Sequence, residues 1–141
     1  NVKSIGSDIY VAPDIPEKKL NNAIKAFKCE DFYESILAIY DDTLFGSAKE
    51  GLVFTGEKMI HHKYGTFIYN DIESVEYIED ITVNDKGKES KDEYIMIKTK
   101  DNKEHRLKEG LSSIDKKKFA EFLNKIITEF DSYREENQVK P

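Results

Sequence analysis

The fold is decided by the stretch GLVFTGEKMIHHKYGTFIY, residues 51–69. Residues 52–55 are apolar, branched or aromatic and end in Thr, a composition typical of a β-strand. Gly56-Glu57 places glycine first in a two-residue connection, as a type II′ hairpin requires. Residues 58–64 form the return strand, and Gly65 turns the chain into a third strand at 66–69. The segment therefore predicts an antiparallel meander.

Downstream of this meander the sequence predicts three more strands, at 72–81, 94–99 and 103–107. In the first of them Val75 and Tyr77 alternate with charged neighbours, as expected of a half-buried strand. Clusters of turn-forming residues separate the strands. Strands that arrive at intervals of roughly ten residues are typical of a barrel or a sandwich.

The C-terminal part predicts one long amphipathic helix over 114–133. Residues 112–115, Ser-Ser-Ile-Asp, supply a helix start. At 100° per residue the apolar side chains fall within an arc of about 140°; they are Phe119, Phe122, Leu123, Ile126, Ile127, Phe130 and Tyr133. An isolated helix of this kind is marginal in water, so it is expected to dock on the sheet. Phe119, Phe122, Ile126 and Phe130 are predicted core residues, and residues 134–141 a frayed tail.

The N-terminal part is less regular. Residues 1–13 show no period and are predicted to be an arm or a short strand. Residues 14–30 predict a helix, because Asp14 can cap it and Pro16 is tolerated in a first turn. Residues 32–45 suit either a helix or a buried strand, and their β-branched and aromatic content favours the strand.

Composition places the chain among single globular domains. Its 141 residues fit one domain, and its eight Phe and eight Tyr supply bulk for a core. Cys29 is the only cysteine, so an internal disulfide is impossible and a reducing, cytoplasmic location is expected. There is no apolar run of the ~20 residues that span a bilayer.

The charge of the chain argues against nucleic acid as a partner. The formal net charge is −6, and the cations are almost all Lys, with Arg only at positions 106 and 134. Such a chain lacks the basic, Arg-rich surface of DNA- and RNA-binding proteins. Residues 85–118 alone carry an excess of positive charge. This Lys-rich composition is also typical of an AT-rich, low-GC bacterial genome.

Two segments resemble bacterial pleckstrin-homology-like (PH-like or GRAM-like) domains. The first, DDTLFGSAKEGLVFT at residues 41–55, is similar to their passage from a first strand through a Gly-containing turn to an apolar strand ending in Thr. The second, FIYNDIESV at residues 67–75, is similar to their apolar strand followed by a Tyr-x-Asp-Ile turn. The resemblance covers about residues 34–131.

The resemblance implies a mainly β fold, an antiparallel barrel of about seven strands capped at one end by the C-terminal helix. The PH-like domain would span residues 31–133, with the helix at 14–30 as an addition outside the usual pattern. The family binds lipid headgroups or peptides, or serves as a scaffold, so the resemblance does not by itself decide the function.

Several motifs could carry chemistry, but a structural role is the favoured interpretation of each. Gly46 and Gly51 have phosphate-loop spacing, but the Lys and Ser/Thr that would reach the phosphates do not follow them. His61 and His62 are adjacent on a strand and point to opposite faces, so a shared metal ion is not expected. One of them should face outward and the other lie partly buried beside Tyr64.

Carboxylate pairs and Cys29 are also interpreted as structural. Three acidic pairs, at 41–42, 73 and 76, and 79–80, flank turns or alternate to solvent, which makes a small hydrolase the least favoured hypothesis. Cys29 has no neighbouring His to act as a base. No catalytic residue, metal or cofactor is predicted.

The favoured hypothesis is a non-catalytic interaction or scaffold module that binds a protein or peptide partner. The alternative is a membrane-surface module that binds anionic lipid headgroups through the segment from Lys86 to Lys118. The candidate binding residues are Lys49, His61, His62 and Lys63, although Glu50 and Glu57 nearly cancel the charge of the neighbouring Lys residues. The identity of the partner and the oligomeric state do not follow from the sequence.

Overall fold

The computed structural model describes the backbone of residues 1–139 and the side chains of residues 1–132. Within them the chain is mainly β, as expected, with two α-helices. The strands are β1 Ile9–Val11, β2 Ile36–Asp41, β3 Gly51–Thr55, β4 Lys58–His61, β5 Gly65–Ile68, β6 Ile72–Val83, β7 Glu89–Thr99 and β8 Glu104–Leu107, and the helices are α1 Glu17–Ala26 and α2 Lys116–Val139.

The strands form two antiparallel sheets, ordered β1-β2-β3-β4-β5 and β6-β7-β8. This corrects the expectation of one closed barrel of about seven strands. A 3₁₀ turn at Tyr69–Asp71 separates β5 from β6, so the chain leaves the first sheet instead of continuing its ladder. For residues 1–13, where an arm or a short strand was expected, the strand is correct for Ile9–Val11: β1 pairs with β2 through Tyr10 and Ile39.

The central strands β3 and β4 of the first sheet are buried on both faces, which explains their uninterrupted apolar runs. Leu52 and Phe54 of β3 face a central core shared with the second sheet and α2. Val53 points the other way, into a second cluster under α1 that includes Ala23 and Ile60. Every residue of β3 is consequently buried. A strand covered on both faces has no reason to alternate between apolar and polar residues.

Helix α1 is shorter than the predicted 14–30. It begins at Glu17, with Pro16 in the capping position, while the Asp14 N–H bonds to the Val11 carbonyl at 2.9 Å in the preceding turn. The chain leaves the helix where Lys28 adopts a left-handed φ of 57°. The ambiguous segment that follows contains strand β2 after a 3₁₀ turn at Tyr33–Ser35, so the strand interpretation is correct for Ile36–Asp41.

Helix α2 starts two residues later than predicted, at Lys116, because Asp115 is its cap and accepts a bond from the Lys118 N–H at 3.2 Å. Phe119 is fully buried, as predicted, whereas Phe122, Ile126 and Phe130 are only partly covered. The helical backbone continues to Val139, beyond the predicted end at 133. The predicted tail therefore begins inside the helix; its last two residues, 140 and 141, and the side chain of Tyr133 lie outside the described part.

Asn124 of α2 takes the place of a strand neighbour beside β6. Its side-chain amide donates to the Val75 carbonyl at 2.8 Å, and its oxygen accepts from the Val75 N–H at 3.2 Å. Val75 is buried, so both of its backbone groups would otherwise lack water as a partner. One side chain thereby fixes the helix against the second sheet.

We expect Asn124→Ala to lower the free energy of unfolding by about 1–3 kcal/mol, since it leaves two buried backbone groups without partners. Urea denaturation measures the change. Lys125→Ala, at the exposed neighbouring position of α2, is the matched control and should change stability by less than about 0.5 kcal/mol. Equal effects of the two substitutions would contradict the role of Asn124.

Candidate functional site

The four binding residues predicted from the sequence lie at one end of the first sheet. Lys49 is exposed in the loop between β2 and β3, His61 ends β4, and His62 and Lys63 form the turn to β5. The Gly51 N–H donates to His62 Nδ1 at 3.0 Å, which joins the loop of Lys49 to that turn. The structure therefore brings the four residues together, but they differ in burial and in their hydrogen-bond partners.

His61 is a buried structural residue. Its Nε2–H donates to the Gly110 carbonyl at 3.2 Å, and its Nδ1 accepts from the backbone N–H groups of Lys63 and Tyr64 at 3.1 and 3.3 Å. These partners require the neutral ring. Burial lowers the pKa of His61 from 6.5 to about 4. The ring lies 4.9 Å from that of Tyr64, and His62 is exposed, so one histidine is buried and one faces outward as predicted. The two histidine rings are nevertheless only 4.5 Å apart, because β4 ends at His61 and the pair does not alternate across a strand.

Lys63 and Tyr64 hold the linker that connects β8 to α2. Lys63 forms an exposed ion pair with Glu109 at 2.6 Å. The hydroxyl of Tyr64 accepts bonds from the Lys108 and Glu109 N–H groups at 3.1 and 3.2 Å. Gly110 has a φ of 74° and touches the His61 ring so closely that any side chain would overlap it.

Tyr40 and Asp42 complete the contacts to this linker. The Tyr40 hydroxyl donates to Asp42 Oδ1 and accepts from the Ser113 N–H at 2.9 Å, while Asp42 Oδ1 accepts from the Ser112 N–H at 2.9 Å. Burial raises the pKa of Tyr40, so it remains a neutral donor.

We call residues 108–113 with their partners Tyr40, Asp42, His61 and Tyr64 the linker clasp. Of the predicted binding residues, only Lys49 and His62 are exposed without a role in holding this linker.

A different feature, an apolar groove, lies at the opposite end of the first sheet. It has a volume of about 340 Å³. Its walls come from β1, β2, β3 and α2 and include Val11, Leu37, Phe54, Phe122, Ile126 and Phe130. Thr55 and Glu129 are the polar side chains in its lining. Sites that bind ligands are commonly concave, mostly apolar and furnished with a few polar groups.

Two local features of the backbone and the rings shape this groove. The ladder between β2 and β3 shifts at Leu37, which stands unpaired between Ile36 and Ala38, and Leu37 is consequently 52% exposed at the rim. The Phe54 ring meets Phe122 edge-on at 6.2 Å, and Tyr69 meets Phe130 in the same manner at 5.8 Å. These ring pairs connect the sheet to α2 without filling the space between them. The sequence shows the apolar residues but gives no sign of the bulge that creates the opening.

The acidic pair Asp41-Asp42 that the sequence offered for catalysis is occupied by contacts within the chain. Lys19 lies 2.7 Å from Asp41, whose pKa it holds low together with Thr43, against the effect of burial. Asp42 belongs to the linker clasp. Among the described residues, no group of His, Cys, Asp and Glu is placed to hold a metal ion.

Comparison with protein-family models, with curated proteins and with solved structures found no match to this chain. Over the residues that the structure describes, neither helix combines the length and the apolar character needed to cross a membrane.

We expect the stability of the fold to decrease in acid, mainly because His61 of the linker clasp is protonated on unfolding. The folded-state pKa of His61, about 4, lies below the ordinary value of 6.5, so the unfolded chain binds the proton more readily. The contribution of His61 to the free energy of unfolding is complete above pH 6.5. It decreases by up to about 3 kcal/mol as the pH falls to 4.

Histidine NMR spectra and urea denaturation between about pH 3 and pH 7.5 measure this effect. We expect the His61 ring to titrate near pH 4, and we expect His61→Gln to flatten the pH dependence of the unfolding free energy. A His61 ring that titrates near pH 6.5 would show that the clasp does not exclude the proton.

Proposed function

We propose that this chain is a non-catalytic interaction module of PH-like architecture that receives apolar side chains of a protein partner in the apolar groove. The architecture is supported by the order of elements: a meander from β2 to β5, a second meander from β6 to β8, and then α2. Helix α1 and strand β1 are additions to that order. The groove itself is the observation that carries the functional proposal.

The composition of the groove favours a protein segment with one or two large apolar side chains. Burying such a side chain contributes about 1.5–3 kcal/mol. Association costs at least ~4 kcal/mol, so two anchors must be supplemented by contacts around the rim. β1 is an edge strand of the first sheet and Val11 lines the groove, which places a sheet edge beside the partner. Glu129 favours a basic residue next to the apolar anchors.

The distribution of ion pairs supports a protein partner over an anionic membrane. Six cations of the basic segment 85–118 lie within 4.0 Å of a carboxylate; they are Lys91, Lys98, Lys100, Lys103, Arg106 and Lys108. Their positive charge is thereby largely compensated at the surface. Attraction to anionic lipid requires basic clusters whose charge is not compensated.

Leu37→Asp tests the groove. As the probe, peptides of twelve residues are selected from a random display library on the whole chain and measured by calorimetry. We expect the selected peptides to carry Leu, Ile, Phe or Tyr beside Lys or Arg. Leu37→Asp should weaken their binding about tenfold or more, because it removes an apolar contact at the rim and a bound apolar side chain would desolvate the new carboxylate.

The matched control is Ile81→Asp, which adds a carboxylate at an apolar strand position that is 57% exposed and outside the groove. It should leave peptide binding unchanged. Peptides that bind Leu37→Asp as tightly as the unmodified chain would contradict the proposal. Flotation with phosphatidylserine vesicles at low salt, unaffected by Leu37→Asp, would favour the membrane alternative instead.

A further inference from the structure

The loop between β2 and β3, residues 42–50, presents two large apolar side chains to solvent. Leu44 is 88% exposed and Phe45 is 92% exposed, the highest values among the large apolar residues that the structure describes. Surface loops are usually built from small and polar residues. We call Leu44 and Phe45 the apolar tip.

The apolar tip stands on a hydrogen-bonded frame formed with α1. Asp41 Oδ1 accepts from the Thr43 backbone N–H at 2.9 Å and from the Thr43 hydroxyl, and Thr43 Oγ1 accepts from the Ser47 N–H at 2.8 Å. From α1, Lys19 donates to Asp41 and to the Gly46 carbonyl, both at 2.7 Å, while Asn22 donates to the Ser47 carbonyl at 2.9 Å. The loop is bonded on both sides of the tip.

The base of this frame is buried. Asp41 is 5% exposed and Ala48 is 2% exposed, so the loop is anchored in the body of the domain at both ends. An ordered loop loses little conformational freedom on binding, which raises the affinity of the contacts it makes. The apolar tip therefore has the properties of a preformed docking element.

We infer that the apolar tip of one copy of this chain docks into the apolar groove of a second copy. The inference rests on the proposed function of the groove as a receptor for apolar side chains. A volume of about 340 Å³ is near the lower limit of ligand sites and suits a few apolar side chains, such as a Leu and a Phe. The tip supplies these two residues side by side.

Lys49 in the loop of the tip and Glu129 at the groove carry complementary charges, while Glu50, next to Lys49, is exposed and carries the opposite charge. Lys49 is exposed four residues after Phe45, and Glu129 is exposed at the groove. Neither forms an ion pair with the described side chains of its own chain. Docking would bring a cation next to an anion, which favours a second copy over an unrelated apolar surface.

The two surfaces lie at opposite ends of β2, so a chain cannot dock its tip in its own groove. Leu37 is near the start of the strand, and the loop of the tip follows Asp41 at its end. Five residues of extended chain separate Leu37 from Asp42, a distance of about 17 Å. The contact joins different surfaces of two copies, so each copy retains one surface with which to bind another.

Sedimentation velocity of the whole chain and its variants tests the inference. We expect the average mass of the unmodified chain to rise above that of a monomer between roughly 1 μM and 1 mM. Phe45→Ser, at the tip, and Leu37→Asp, at the groove, should each remain monomeric. An equimolar mixture of the two variants should form a dimer, because one retains an intact groove and the other an intact tip. Ile81→Asp is the control and should associate like the unmodified chain.

Charge reversal provides a second measurement. Lys49→Glu or Glu129→Lys alone should weaken association about two- to fivefold, and the chain that carries both should recover it. Recovery is not expected if either residue acts only through the stability of its own chain.

Three results would overturn the inference: a monomeric unmodified chain at all these concentrations, association that survives Phe45→Ser, or a mixture that stays monomeric. Vesicle binding that is lost in Phe45→Ser, with no self-association, would assign the tip to a lipid surface and equally overturn it. The proposed function is tested separately, since display peptides that bind the groove of a monomeric chain would support it while the self-docking inference fails.

Discussion

The structure depends on the burial of the first sheet on both of its faces. β3 carries Leu52, Val53 and Phe54 in succession, so apolar side chains leave the strand in both directions. Burying only one face would leave Val53 and its neighbours Ile39 and Ile60 in water. Two covering layers are required, and α1 supplies one while α2 and the second sheet supply the other. The cost of ordering α1 is offset by the cluster it covers, since a ten-residue helix is not stable alone.

The second covering layer brings the linker between β8 and α2 against the end of the first sheet, where its backbone polar groups need partners. The linker clasp meets that need with side chains from β2, β4 and the turn to β5. A neutral His61 matches the arrangement because it both donates, to Gly110, and accepts, from two backbone N–H groups. A charged ring would have no acceptor left for those two groups. The residues that sequence reasoning assigned to binding thus include two, His61 and Lys63, whose contacts fix the helix to the sheet.

The sequence predicted well what local periodicity and turn chemistry determine. The position of the hairpin at Gly56-Glu57, the strand at β7 and the amphipathic helix α2 all follow from patterns within fewer than twenty residues. The predicted type II′ turn is wrong, because Gly56 lacks the positive φ that this turn requires. What it left open or missed depends on contacts between distant residues. The choice between an arm and a strand at residues 1–13 depends on the edge that β2 offers to β1, and the division into two sheets follows from the turn at Tyr69–Asp71. For the same reason, the sequence did not predict the apolar groove. Its residues have the sequence pattern of ordinary core positions. Only the bulge at Leu37 and the ring contacts of Phe54 and Tyr69 show that the core is open there.

The apolar tip and the apolar groove are both consequences of how α1 and α2 cover the sheet. Helix α1 seals one face and, through Lys19 and Asn22, fixes the loop that carries Leu44 and Phe45. Helix α2 covers the other face but leaves Phe122, Ile126 and Phe130 only partly buried over the far end of β2 and β3. A loop that merely connected two strands would need neither two exposed apolar residues nor a buried ion pair at its base. Ordering the frame costs conformational entropy, and the exposure of the two apolar side chains of the tip to water is unfavourable. Both features are explained together if the tip is held in place for an apolar surface, and the groove is the surface of that kind that the same sheet provides.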